Sequence, residues 1–198
     1  MKRRTLLLSL LPATAAAYDR FRNVEPDWFQ LTRTRIPLPL PRPKRILHVS
    51  DLHVSDGMTA DALSIGLEAG LAQHPDLICF TGDYVTSTQG FDREGLQRLL
   101  RRAADTAPCY AVLGNHDGGN WLGRRRRSHT PARLMQDLIA ETGVRLLHNR
   151  CAMEQGIILA GVGDLWSGEF DPAAAFKNAP AGEPTIVLCH NPDGKRDL

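Results

Sequence analysis

The chain has 198 residues, 42% of them apolar and 23% charged, with a formal net charge of +2. That length supports one domain with a real hydrophobic core and is too short to expect two. The nearly neutral balance excludes a whole-chain argument for nucleic-acid or membrane binding, so local charge must carry any such argument.

Residues 1–17, MKRRTLLLSLLPATAAA, combine a basic start, a short leucine run and small residues, the layout of an export signal. The apolar run is too short to span a bilayer. The pair Arg3 and Arg4 permits twin-arginine export of a folded, metal-loaded protein, with the general secretory route beside it. A periplasmic or membrane-associated location is therefore expected; an uncleaved anchor or a basic tail is the alternative. Residues 18–44 read as an approach segment, and the prolines between Ile36 and Lys44 exclude helix and central strand. The domain is expected over residues 45–198.

The regular pattern begins with RILHV, a buried strand, followed by a helix over residues 59–74. Thr59 caps that helix, Leu63, Leu67 and Leu71 share one face, and Pro75 stops it. DLICF is a second strand, Asp92 to Ala104 a second helix with Leu96, Leu99, Leu100 and Ala103 inward, and CYAVL a third strand. A third helix starts at Thr130, with Pro131 in its first turn, and ends before Gly143. VRLLHN, CAME and GIILAGV then read as consecutive strands, Asp171 and Pro172 start a short helix, and TIVLC is the last strand. Of four cysteines, Cys79 and Cys189 lie in apolar strand runs and read as small buried hydrophobes, while Cys109 and Cys151 stay unassigned. No C-x-x-C spacing supports a zinc knuckle or a redox pair.

Strands alternating with helices predict an α/β domain whose first sheet is mostly parallel. Ligands in such sheets gather beyond the carboxyl ends of the strands. Past the strand ends of this chain stand Asp51 and His53, then Asp83, then Asn115, His116 and Asp117, and finally His190. Each alone reads as a turn residue, a cap or a structural histidine. Four strands expected to deliver such groups to one sheet edge read together as a cation site, and oxygen plus imidazole donors suit manganese, iron or zinc.

The motifs SDLH, TGDYV, GNHD and the later His190, in that order, resemble the calcineurin-like metallophosphoesterases. HPDLICFTGDYV, GVGDLW and CHNPD resemble the exported bacterial phosphodiesterase branch of that family, with the likeness running from about residue 36 onward. The resemblance implies a β-sandwich flanked by helices in α-β-β-α layers and two divalent metal ions. It implies that Asp51 and His53 hold the first, Asp83 bridges both, and Asn115 and His190 hold the second. It further implies that His116 faces the scissile phosphate and protonates the leaving oxygen, with Asp117 orienting its imidazole. The metals would activate water and clamp the attacking and leaving oxygens of an in-line displacement, giving hydrolysis without a covalent intermediate.

The family pattern continues to a G-H-x-H motif whose histidines complete both metal sites, and no G-H-x-H occurs in these 198 residues. The resemblance therefore implies a C-terminally truncated chain with weak or no activity; the alternative reading is a noncatalytic remnant that at most binds metal or phosphate. His48, His74, His129 and His148 are assigned to structure or surface. The run Arg124, Arg125, Arg126 and Arg127 reads either as a solvated loop or as a contact for an anionic head group, with Trp121 at the same entrance. One arginine run without interleaved aromatic residues is poor support for a nucleic-acid groove. The expected substrate is a phosphoester small molecule or a lipid head group, including phospholipid or envelope phosphodiesters, and association with a membrane surface is compatible with it.

Overall fold

Four short strands, three of them cut from apolar runs, build the first sheet. β1 (Ile46–Val49), β2 (Leu77–Thr81), β3 (Cys109–Val112) and β4 (Arg145–Leu146) lie in that order and pair in parallel throughout. The computed structural model describes residues 29–87, 90–118 and 132–198; residues 1–17, Trp121, Arg124 to Arg127, His129, Thr130 and Pro131 lie outside them. The chain divides into the units Met1–Thr32 and Arg33–Leu198, and every strand and helix named here belongs to the second.

Successive side chains on a strand point to opposite faces. Ile78, Phe80, Cys109 and Ala111 accordingly share one apolar cluster with three helices, while Leu77, Cys79, Tyr110 and Val112 share another with the second sheet. The helices are α1 (Ala60–Leu71), α2 (Arg93–Ala104) and α3 (Ala132–Ala140). Thr59 and Asp92 cap the first two, accepting hydrogen bonds from the amides of Ala62 at 3.2 Å and Gly95 at 2.8 Å. Leu63, Leu67, Leu71, Leu96, Leu99, Leu100 and Ala103 are all buried, as their helical spacing predicts. Each buried leucine contributes on the order of 1.5–3 kcal/mol, so this face holds the sheet far more firmly than the helix caps do.

β5 (Arg150–Glu154) and β6 (Ile157–Gly161) form an antiparallel hairpin, and β7 (Thr185–Leu188) pairs in parallel with β6. Gln155 and Gly156 make the hairpin turn with φ of 52° and 82°, the left-handed pair that a two-residue turn between right-twisted strands requires. The short helix α4 (Pro172–Phe176), capped by Asp171, lies in the crossover from β6 to β7. Leu147, Ile157, Leu159 and Leu188 meet the inner face of the first sheet, closing a sandwich with helices outside it. Tyr110 stitches the layers by donating to Glu154 at 2.9 Å and accepting from Arg145 at 2.8 Å. The α/β sandwich is thus the architecture expected of the resemblance.

Three details differ from the sequence reading. VRLLHN contributes only the two-residue β4, because Leu147 makes a single further bond to Ala111 and Asn149 then turns the chain at φ 48°. Cys189 is only half-buried, whereas the unassigned Cys109 is 3% exposed and faces the helices. TIVLC does not join the edge of the first sheet: its strand, β7, belongs to the second, because the β5–β6 hairpin opens a new sheet and β7 pairs with it. No helix among the described residues is long and apolar enough to cross a membrane.

Candidate metal centre

Beyond β1 and β2 the two segments stay zipped together. The amides of Asp51, His53 and Val54 donate to the carbonyls of Gly82, Asp83 and Tyr84 at 3.0, 3.0 and 2.9 Å. This ladder bends the backbone so that Asp51, His53 and Asp83 sit at φ of 56°, 46° and 55°. Non-glycine residues rarely adopt that region, and strain concentrated at one place is the usual mark of a working site. Gly82 and Gly114 permit the closest approach: a Cβ on Gly114 would stand 2.2 Å from Asp83 Oδ1, and one on Gly82 2.3 Å from the Gly114 nitrogen.

Around Asp83 the donors converge from both sheets. Its Oδ2 lies 3.5 Å from His53 Nε2, and that nitrogen lies 3.8 Å from Asp51 Oδ1. Asp51, His53 and Asp83 each offer one ligand atom within 4.8 Å of the others, a group able to hold a metal ion. On the other side, Asp83 Oδ1 lies 3.5 Å from His190 Nε2, which is 3.0 Å from Asn115 Oδ1. The Thr81 carbonyl accepts from His190 Nδ1 at 2.7 Å, so in the neutral ring Nε2 presents a lone pair to two oxygens that also carry lone pairs. A cation reconciles such a cluster, and a backbone carbonyl fixing the remote nitrogen is the usual support of a ligating histidine. The donor set therefore fits divalent metal. Asp51 has 55% of its side chain exposed against 5% for Asp83, so the centre is open on the Asp51 side and closed behind Asp83.

His116 stands over the same carboxylate, its Nε2 4.0 Å from Asp83 Oδ2 and its ring edge-on to His53 at 5.0 Å. The imidazole is oriented by the Thr86 carbonyl, which accepts from Nδ1 at 2.9 Å. The expectation that Asp117 orients this ring is corrected. Asp117 is fully buried, and its carboxylate accepts three backbone amides: Asp83 and Gly114 at Oδ2, 2.7 and 2.8 Å, and Tyr84 at Oδ1, 2.8 Å. It binds the loop after β2 to the loop after β3. Burial pushes its carboxyl up to about 7, against the pull of the amide donors.

The structure thus brings together Asp51, His53, Asp83, Asn115, His116 and His190, places Asp117 beneath them, and leaves Arg124 to Arg127 outside the described residues. Sequence reasoning missed Thr81 and Thr86. Thr81 joins His190 through its carbonyl and His48 through its hydroxyl at 2.7 Å; Thr86 serves His116 through its carbonyl and donates from its hydroxyl to the His53 carbonyl at 3.3 Å. A carbonyl belongs to every residue type, so only nearness to Asp83 in the chain marked either one.

A family model for calcineurin-like phosphoesterases matches residues 44–197. Phosphodiesterase YaeI of Escherichia coli is 31% identical over 189 residues, covering 92% of this chain and 66% of the relative. UDP-2,3-diacylglucosamine pyrophosphatase LpxG of Chlamydia trachomatis is 26% identical over 231 residues, covering 94% and 70%. The uncharacterized metallophosphoesterase YkuE of Bacillus subtilis is 26% identical over 210 residues, covering 98% and 70%. The chain spans about two thirds of the length of these relatives.

Proposed function

The chain belongs to the calcineurin-like phosphoesterase family, and on that premise we propose that it hydrolyses phosphodiesters with two divalent cations seated on either side of Asp83. One observation carries the reading: the two oxygens of a single buried carboxylate face different histidines, His53 across Oδ2 and His190 across Oδ1, both at 3.5 Å. Asp51 and His53 would hold one cation and Asn115 and His190 the other, with Asp83 shared. Cations so held supply Lewis acidity toward phosphoryl oxygens and make water a nucleophile near neutral pH.

The remaining work falls to the chain. Asp83 accepts the His116 amide at 2.9 Å, which fixes His116 relative to the shared carboxylate. With Nδ1 of His116 donating to Thr86, Nε2 is the ring nitrogen that would exchange a proton with a leaving oxygen. The open Asp51 side is where substrate would enter.

The name of one relative, a phosphodiesterase, supports a diester substrate, and that of another, a pyrophosphatase for UDP-2,3-diacylglucosamine, supports a lipid-linked one. The export-signal layout of residues 1–17 supports an envelope phosphodiester as the substrate. The test is metal analysis of purified protein combined with hydrolysis of bis-p-nitrophenyl phosphate in added manganese. Bound divalent metal, turnover abolished by chelation and loss of both in Asp83→Asn support the reading. Metal retained with no turnover of any diester would overturn hydrolysis and leave a metal-binding protein.

A further inference from the structure

After β6 the chain makes a turn that polar contacts hold from several sides. Asp164 is 1% exposed; its Oδ2 accepts the Ser167 amide at 2.7 Å and its carbonyl accepts the Glu169 amide at 3.1 Å. Asn149 fixes both ends, accepting from the Gly163 amide and donating to the Glu169 carbonyl, each at 2.7 Å. The fit is tight enough that a Cβ on Gly163 would meet the Glu169 carbonyl oxygen at 2.2 Å. At the centre of this anchored turn Trp166 is 59% exposed.

The next residue, Ser167, is 5% exposed and donates from its hydroxyl to the Gly118 carbonyl at 3.4 Å. Gly118 comes directly after Asn115, His116 and Asp117. A buried carboxylate, an asparagine and a serine thus anchor the backbone of the turn that carries the exposed indole, and Ser167 joins that turn to the loop after β3. Indole faces attract flat and apolar groups, and a rigid mount lowers the entropy lost when one binds.

We propose that Trp166 forms a side of the substrate site, receiving a flat apolar group carried next to the phosphate. The inference rests on reading the metal centre as the phosphate site, and it concerns specificity rather than bond cleavage.

Calorimetry on the manganese-loaded full chain tests it with two probes that share a phosphate and differ in substituent, phenyl phosphate and methyl phosphate. The wild-type protein is expected to bind phenyl phosphate about fivefold to tenfold more tightly, as one aromatic contact allows. In Trp166→Ala the ratio should fall toward one, and in Trp166→Phe most of it should remain. Trp166→Gln, which keeps a large polar side chain on the turn, should lose the ratio as the alanine variant does, with the melting temperature recorded for each. A ratio unchanged in the alanine and glutamine variants, or no preference in the wild type, overturns the inference. Since binding is read without turnover, a tryptophan-dependent preference in a protein that cleaves no diester would defeat the hydrolase reading alone. Diester turnover with an unchanged ratio would defeat this one alone.

Discussion

Asp117 shows how a residue can be singled out correctly and given the wrong task. The family resemblance implies a partner for the His116 ring, yet its carboxylate gathers the amides of Asp83, Tyr84 and Gly114. A neutral amide at this position has one acceptor oxygen, and its NH2 would face backbone donors. Asp117→Asn is therefore expected to destabilise the chain by about 2–4 kcal/mol, the scale of one or two buried donors left unsatisfied. It should also weaken metal binding by roughly tenfold or more through the displaced Asp83. Thermal melts and metal titration read both effects. A variant with native stability and metal affinity, and only a shifted pH profile of hydrolysis, would restore the orienting role. Thr86 and Thr81 carry the complementary lesson, since their carbonyls hold His116 and His190 and no side chain announces it.

Strands β2 and β3 form the buried centre of the first sheet, and their cysteines report on it. Cys79 is 2% and Cys109 3% exposed, on opposite faces of the sheet, and burial pushes both thiols up to about 12. Only the thiolate is alkylated, so at pH 8 about one thiol in ten thousand is reactive at either position. Iodoacetamide applied to the native protein at that pH should label Cys151 first and the half-buried Cys189 more slowly. Cys79 and Cys109 should stay unlabelled until denaturant is added, as peptide mass spectrometry would show. Early labelling of either would contradict the burial of β2 and β3. The same two strands are legible in the sequence because each is a short, uninterrupted apolar run bounded by turns. β4 is shorter than its pattern suggests because an apolar run of equal appearance ends where Asn149 turns away.

At the scale of the whole molecule, the candidate metal centre draws its donors from both sheets. Asp51, His53, Asp83 and Asn115 come after strands of the first, and His190 after a strand of the second. A cation held by both can bind only when the sandwich is assembled, so its binding energy adds to the stability of the folded chain. Metal at a hundred times its dissociation constant should stabilise by about 2.7 kcal/mol. Manganese is thus expected to raise the melting temperature and chelator to reverse the rise, with Asp83→Asn abolishing the response. A melting temperature indifferent to metal in the wild-type chain would separate the donor cluster from cation binding.

The order of strands and helices, the cap at Thr59 and the polar residues standing past the strand ends were legible in the sequence alone, since period, capping and strand-end position depend on near neighbours. Only the tertiary structure decided that β7 stands in a second sheet, that Asp117 clamps backbone instead of a ring, and that Ser167, next to Trp166, reaches the carbonyl of Gly118. Those outcomes depend on which distant segments meet, as His190 meets the carbonyl of Thr81 across 109 positions of chain. Contacts at that separation are set by how apolar faces stack, and a one-dimensional pattern specifies the faces without specifying their partners.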